Sequence, residues 1–278
     1  MLDELDMVSF GHLPFDLYVM DKWDPDSPLT KTQQFRALVH SWVRLGKKGR
    51  NEYPDGDDLS PEEIPPYVPQ DLMSDEHRAT DGQSATVLWI RTWYGRKNDP
   101  TSQSAANAGY NRLRSIVHDN DIDAGLDEDN FFENEDEFGS DSFTIPEGKT
   151  EFIDGVACGT PGSVPSYMIT ALMRKPDTLD GLSTRDWTEE LYKNHPDPDM
   201  MQCLMVVVAD RKACEEGWVL FLAVNHKGEV LPFRIRENAD MATLLIYNYM
   251  DGQSLDENTR DPKKDIEYYM REGDGWAC

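Results

Sequence analysis

The strongest pattern in the chain is a pair of uninterrupted apolar runs in its carboxyl-terminal half. Residues 203–209 and 218–224 contain no charged side chain and are enriched in β-branched residues. Continuous apolarity over such a length is typical of strands buried on both faces of a sheet. Residues 225–228 have the composition of a turn, and residues 230–236 alternate between apolar and polar positions. We therefore predict an antiparallel hairpin whose return strand is half-exposed.

Apolar residues at helical spacing predict two amphipathic helices in the first half of the chain. The first begins at Thr30, which forms a capping-box sequence with Gln33, and ends at Gly46. The second follows a β-rich run at 85–92, which we interpret as a strand. The apolar stripes consist of Phe35, Leu38, Val39, Trp42 and Val43 in the first helix, and of Ala106, Tyr110, Leu113 and Val117 in the second.

The densest basic cluster of the chain directly follows the first helix. It contains Arg44, Lys47, Lys48 and Arg50. Cations are favoured near the carboxyl end of a helix because they complement its dipole. We therefore interpret the cluster as structural, in preference to an anion-binding site.

Together these elements predict an α+β fold with a mixed, partly antiparallel sheet, flanking helices and a long acidic loop insertion. Apolar residues at 241–247 and 266–270 indicate two closing helices. Residues 1–80 are expected to form an amino-terminal helical and extended arm, since 51–82 are rich in Pro, Asp, Glu and Ser. Residues 81–278 then form the main domain, with the acidic insertion at 119–150.

The charge balance restricts the classes of partner. The chain has 27 Lys and Arg against 53 Asp and Glu, a formal net charge of -26. Such an excess repels nucleic acid and anionic membrane surfaces, so we expect neither as a partner. An acidic amino terminus and the lack of an apolar run long enough for a membrane span predict a cytoplasmic protein.

Much of the acidity is concentrated in one block. Residues 119–142 contain eleven carboxylates and no Lys or Arg. Such a block repels itself and cannot bury a core face, which predicts disorder or a mobile loop without core contacts. Asp119, Asp121 and Asp123 resemble the start of a calcium loop, but the glycine and the final Glu of that motif are misplaced. We therefore predict no metal site there.

One cysteine is a candidate nucleophile. Cys158 lies in a Gly- and Pro-rich stretch, and His195 and His226 are the histidines on this side of the chain that could act as its base. The stretch lacks the lysine of a phosphate loop and the glycines of a nucleophile elbow. A turn with a buried thiol is the preferred interpretation, and a cysteine-dependent hydrolase or transferase is the alternative. No residue pattern indicates a cofactor.

The order of features from Val87 onward resembles a family of small, acidic, uncharacterised domains found mainly in bacteria. The matching pieces are 87–92, 179–183, 203–210, 218–224, 232–234 and 239–251. This resemblance covers about residues 85–278 and implies a compact domain of helices and strands, without catalytic residues to transfer. The chain departs from the family in its long insertion and in lacking the usual aromatic, acidic ending.

These observations favour a binding function over catalysis. Our leading hypothesis is a non-catalytic module that engages a basic protein through its acidic surface, in the manner of an immunity or sequestering protein. Glu133, Glu135, Asp136 and Glu137 are the candidate binding residues, which we expect to act as rim charges. The sequence does not specify an oligomeric state.

Overall fold

The computed structural model describes residues 14–53, 87–120, 130–138, 152–153, 156–157, 171–172, 200–258 and 267–276. The chain divides into two units. Of the described residues, the first unit contains 14–53, 171–172 and the turn His226–Gly228, and the second contains the others. The sequence also predicts a short helix that begins at Ser60 and a helix that begins at Ser183 or Thr184, and both lie outside the described residues.

The described part of the first unit includes helices α1 (Pro14–Lys22), α2 (Lys31–Arg44) and α3 (Gly46–Arg50). The predicted capping box is confirmed, since the Thr30 side chain accepts from the Gln33 backbone and the Gln33 side chain accepts from the Thr30 backbone. Aromatic rings join the helices, with centroids 5.7 Å apart for Phe15 and Trp42 and 5.1 Å apart for Tyr18 and Trp42. This aromatic packing buries the stripe that defined α2 in the sequence.

Arg50 explains part of the basic cluster behind α2. Its guanidinium is fully buried and donates to the backbone carbonyls of Trp42 at 3.4 Å and Val43 at 3.1 Å, and to the carbonyl of His226. The carbonyls of Trp42 and Val43 belong to the last turn of α2, where a helix lacks internal donors. For Arg50, the structural interpretation of the cluster is therefore confirmed.

The second unit contains a six-stranded sheet. Its strands are β1 (Val87–Arg91), β2 (Phe131–Phe132), β5 (Leu204–Ala209), β6 (Trp218–Val224), β7 (Val230–Asn238) and β8 (Glu267–Tyr269), while β3 (Phe152–Ile153) and β4 (Val156–Ala157) pair separately. Across the sheet the order is β2-β1-β5-β6-β7-β8. The described helices of this unit include α4 (Pro100–Asp119), α5 (Glu135–Phe138), α6 (Arg211–Glu216) and α7 (Ala242–Met250).

The sheet is mixed, as predicted. β1 pairs in parallel with both β2 and β5, β6 is antiparallel to β5 and β7, and β8 is parallel to β7. All strands except β6 therefore end at the same edge of the sheet. The α+β fold class and the hairpin between β6 and β7 are confirmed.

The main core lies on one face of this sheet. Residues at alternate positions of β1, β5 and β6, including Trp89, Val207 and Phe221, pack with the buried stripes of α4 and α7. The intervening residues are buried as well, with Val206 0% and Leu220 2% exposed. Both faces of β5 and β6 are thus buried, as the continuous apolar runs predicted.

The prediction of a half-exposed return strand is wrong for β7. Arg234, Arg236 and Glu237 are only 1%, 2% and 3% exposed. Arg236 forms a bidentate pair with Asp210, at 2.8 Å from Nη1 to Oδ1 and 2.6 Å from Nη2 to Oδ2. Glu237 pairs with Arg271 at 3.4 Å from Oε1 to Nε. Arg236 and Glu237 are therefore enclosed with partners of opposite charge, which offset the cost of removing them from water.

Both edges of the sheet also differ from the sequence predictions. Glu267–Tyr269 is a strand, so the second closing helix is wrong, whereas the first is confirmed as α7. Residues 130–138 of the acidic block are not a loop without core contacts: they contribute strand β2 and bury Phe132 and Phe138. Two aromatic anchors thus overcome the local charge repulsion. The rest of the insertion, 121–129 and 139–150, lies outside the described residues.

Candidate binding surface

The candidate site lies where β1, β2 and β5 end. Parallel strands bring their carboxyl ends to one edge, which is where open sheets commonly place ligand-binding residues. Here the edge carries Arg91 at the end of β1, Glu133 after β2 and Asp210 after β5. We call residues 130–138 the acidic edge segment.

Arg91 organises the end of β1. Its side chain is 8% exposed, and its Nε donates to the Trp93 carbonyl at 3.0 Å while Nη2 donates to Asn107 Oδ1 at 2.5 Å. The guanidinium carbon lies 4.3 Å from the ring centroids of both Tyr94 and Tyr110. Cation–π contacts with two rings stabilise a buried cation and fix both tyrosines.

Tyr110 connects this cation to the acidic edge segment. Its hydroxyl accepts from Trp89 Nε1 at 3.1 Å and donates to the Glu133 carboxylate. Arg114 pairs with the same carboxylate at 3.2 Å from Nε to Oε1, and its guanidinium carbon lies 3.8 Å from the centroid of the Phe131 ring. Helix α4 thus holds the segment through a phenol, an ion pair and an aromatic contact.

Burial keeps two phenols of this network and a neighbouring thiol in their protonated forms. Burial, the largest cause, raises the pKa of Tyr94 and of Tyr110, and the Glu133 carboxylate raises both further. Burial likewise raises the pKa of the Cys214 thiol, whose sulfur lies 3.8 Å from the Ala209 carbonyl oxygen. Protonated phenols and thiols are donors or packing groups, since nucleophiles require the ionised form. The network therefore serves to position residues.

The exposed part of the acidic edge segment is the short helix α5. Asn134 begins it: its side chain accepts from the Asp136 backbone at 3.0 Å and its carbonyl accepts from the Phe138 backbone at 2.9 Å. Glu135 and Asp136 are exposed, and neither forms an ion pair with a cation of the described ranges. The side chain of Glu137 lies outside the described residues. Buried Phe132 and Phe138 flank these exposed carboxylates and hold them in place.

Glu133 is not the independent rim charge that its sequence context predicts. It is bound to Tyr110 and Arg114, which come from another element of the fold. The acidic block itself contains no cation, so its sequence offers no sign of this pairing. The sequence feature that could have indicated the pairing is the presence of Arg112 and Arg114 in the preceding helix, since these are the cations nearest in sequence.

The residues of the alternative hypothesis are only partly described. His226 is 3% exposed in the turn after β6, and its carbonyl accepts from Arg50. Cys158 and His195 lie outside the described residues, so the cysteine-dependent hydrolase or transferase stays a prediction.

Within the described ranges, no group of three or more His, Cys, Asp or Glu side chains is arranged to hold a metal ion. None of the helices described here is long and apolar enough to cross a bilayer. Comparisons of the chain with protein-family models, with curated proteins and with solved structures give no match. The resemblance to a family of small acidic domains therefore stays a prediction.

Proposed function

We propose that this protein is a non-catalytic binding module that engages a basic protein through its acidic surface. The observation that carries the proposal is the fixed presentation of Glu135 and Asp136 on the acidic edge segment. A carboxylate held on an anchored element loses less conformational entropy on binding than one on a free chain. The fixed helix therefore suits recognition of a cationic surface.

The net charge supports the same proposal over longer distances. A formal charge of -26 attracts a basic protein before contact and accelerates encounter at low ionic strength. Because this attraction is screened by salt, association slows more than dissociation quickens as salt is added. A protein of this kind is suited to covering a cationic surface, as an immunity or sequestering protein does.

The test begins with affinity capture at low salt, followed by identification of the captured protein and measurement of its association rate. Glu135→Gln with Asp136→Asn is expected to lower that rate without changing the circular dichroism spectrum. Glu133 is kept because it supports the fold through Tyr110 and Arg114. The matched control, Glu216→Gln with Glu272→Gln, removes the same charge from two other exposed positions.

Three outcomes contradict the proposal. The captured protein could be acidic, its association rate could be independent of salt, or the control pair could slow association as much as the test pair. The last result would mean that the association rate depends on net charge alone and that the acidic edge segment does not contact the partner.

A further inference from the structure

Helix α2 presents a row of basic side chains on its solvent side. Arg36 and Arg44 are exposed, and His40, midway between them, is partly buried. Residues four apart on a helix are neighbours, so the three side chains lie in one row. Burial is the largest cause that lowers the pKa of His40, and Arg44 and Arg36 lower it further, so both cations act at the imidazole. We call these three residues the α2 basic row.

The row lies in a part of the chain that lacks carboxylates. Residues 27–51 contain six Lys and Arg and no Asp or Glu, in a chain with 53 acidic residues. Within the described ranges, neither Arg36 nor Arg44 forms an ion pair with a carboxylate. The row is therefore a local region of positive charge that no described side chain of the protein neutralises.

The helix dipole accounts for only one end of the row. Arg44 lies in the last turn of α2, where a cation complements the partial negative charge of the helix end. That effect falls off within one turn, whereas Arg36 lies about two turns earlier. Neither arginine bonds to the carbonyls of the last turn from a buried position as Arg50 does, since both are exposed. The structural interpretation that holds for Arg50 therefore does not explain Arg36.

The size of the row selects the kind of anion that it fits. At 1.5 Å rise per residue, Arg36 and Arg44 are about 12 Å apart along the axis, with His40 about 6 Å from each. Binding to duplex DNA commonly involves about six to ten phosphate contacts, and recognition of anionic lipid about four to eight clustered Lys or Arg. A chain with a net charge of -26 would also repel the parts of such surfaces that extend beyond the row. The row therefore fits a short anionic segment.

An extended peptide matches the spacing of the row. Alternate residues of an extended chain point to the same side and are about 6.6 Å apart, so residues i and i+4 are about 13 Å apart. Carboxylates at these two positions can lie opposite Arg36 and Arg44, and the residue between them then lies opposite His40. A planar guanidinium forms two parallel hydrogen bonds with a carboxylate, which makes arginine well suited to this contact.

We propose that the α2 basic row binds an extended acidic segment of a protein partner, with carboxylates of alternate residues against Arg36 and Arg44. The row is opposite in sign to the acidic edge segment, so this inference goes beyond the proposed function and does not depend on it. The Debye length at physiological ionic strength is about 8 Å. The cations of the row therefore act on a bound segment, while much of the chain's more distant negative charge is screened.

The test uses fluorescently labelled peptides at an ionic strength of about 0.15 M. One peptide alternates Glu with Ser, and the other alternates Gln with Ser. We expect fluorescence anisotropy to show binding of the Glu peptide only. Arg36→Gln with Arg44→Gln is expected to weaken that binding roughly ten-fold or more, because hydrogen bonds between charged groups are lost. Glutamine has nearly the helix propensity of arginine, so the circular dichroism spectrum should not change. A matched control, Arg96→Gln with Lys97→Gln, removes the same charge from two other exposed positions and leaves binding unchanged.

Four results would overturn the inference. The Glu peptide could fail to bind, or the control pair could weaken its binding as much as the row variant does, which would mean that net charge alone matters. A single-stranded oligothymidylate of equal charge could bind more tightly than the peptide and lose its binding in the row variant, which would make nucleic acid the ligand. A dimer of the unmodified protein in sedimentation velocity that the row variant dissociates would show that the row binds a second copy.

Discussion

Replacing Asp210 by alanine tests the buried ion pair that joins β5 to β7. The Asp210 carboxylate receives two bonds from Arg236, at 2.8 and 2.6 Å, and it also accepts from the Ala213 backbone at 3.0 Å as the N-cap of α6. Both partners are almost fully buried, with side-chain exposures of 2% for Arg236 and 8% for Asp210. Both charged groups are therefore almost completely desolvated in the folded protein.

The free-energy cost of Asp210→Ala depends on the contacts that Arg236 keeps. Without Asp210, the Arg236 guanidinium keeps its bond to the Trp218 carbonyl at 3.0 Å but loses its counter-ion. Breaking a buried pair in this way costs about 3–5 kcal/mol, and loss of the cap adds about 1 kcal/mol. Because domains are stable by only about 5–15 kcal/mol, Asp210→Ala is expected to be severely destabilised.

Urea unfolding followed by tryptophan fluorescence measures this loss, because Trp218 is buried beside the pair. Asp210→Ala combined with Arg236→Met removes both charges and is expected to regain most of the free energy of unfolding, leaving about the 1 kcal/mol of the cap. A double variant no more stable than the single one would refute the reasoning. So would a loss below about 1 kcal/mol for Asp210→Ala alone, since that would mean the site is solvated.

Three further predictions address packing and pH. Leu220→Ala in β6 should lower the free energy of unfolding by about 2–5 kcal/mol, and a loss below about 1 kcal/mol in urea unfolding would contradict its burial. Gly109→Ala should lower the free energy of unfolding by about 1–3 kcal/mol despite the better helix propensity of alanine. The reason is that its Cβ would lie 1.8 Å from the Cys214 carbonyl oxygen. A gain in melting temperature would show that α4 and α6 pack less closely. Burial, followed by two nearby arginines, lowers the pKa of His40. The unfolded chain is therefore protonated first as pH falls through 6.5, and stability falls with it; His40→Gln should lessen this fall in pH-dependent urea unfolding, and an unchanged pH profile would contradict it.

Elements whose signals are local could be predicted from the sequence. The capping box at Thr30, the stripe through Tyr110 and Leu113 and the apolar run of β6 each depend on residues close together in the chain, and each is confirmed. The hairpin between β6 and β7 follows from a short turn. Local pattern thus accounts for the fold class and the middle of the sheet.

Elements whose partners are distant in sequence could not be predicted in the same way. An arginine at an alternating position of a strand normally faces solvent. Arg236 is buried because it pairs with Asp210, which lies 26 residues earlier in the chain. β8 is a short parallel strand whose residues take their hydrogen bonds from β7, so its own pattern carries little information. In the acidic edge segment, the adjacent Phe131 and Phe132 indicate a strand, but the surrounding carboxylates favour a solvated loop. The same segment contains the candidate binding residues. Their charge could be predicted from the sequence, but the contacts that hold them could not, because those contacts come from other elements of the fold.

The short strands at the two edges of the sheet have a consequence for how the protein behaves at high concentration. In the described sheet, β2 has two residues and β8 has three, while the fully apolar β5 and β6 lie in the middle. An unpaired strand edge is a template for pairing with another molecule, and a short edge flanked by charge offers few backbone groups for it. Carboxylates follow β2 at Glu133 and Glu135. Within the described six-stranded sheet, this arrangement encloses two apolar strands of the composition that amyloid favours and leaves few unpaired backbone groups at either edge.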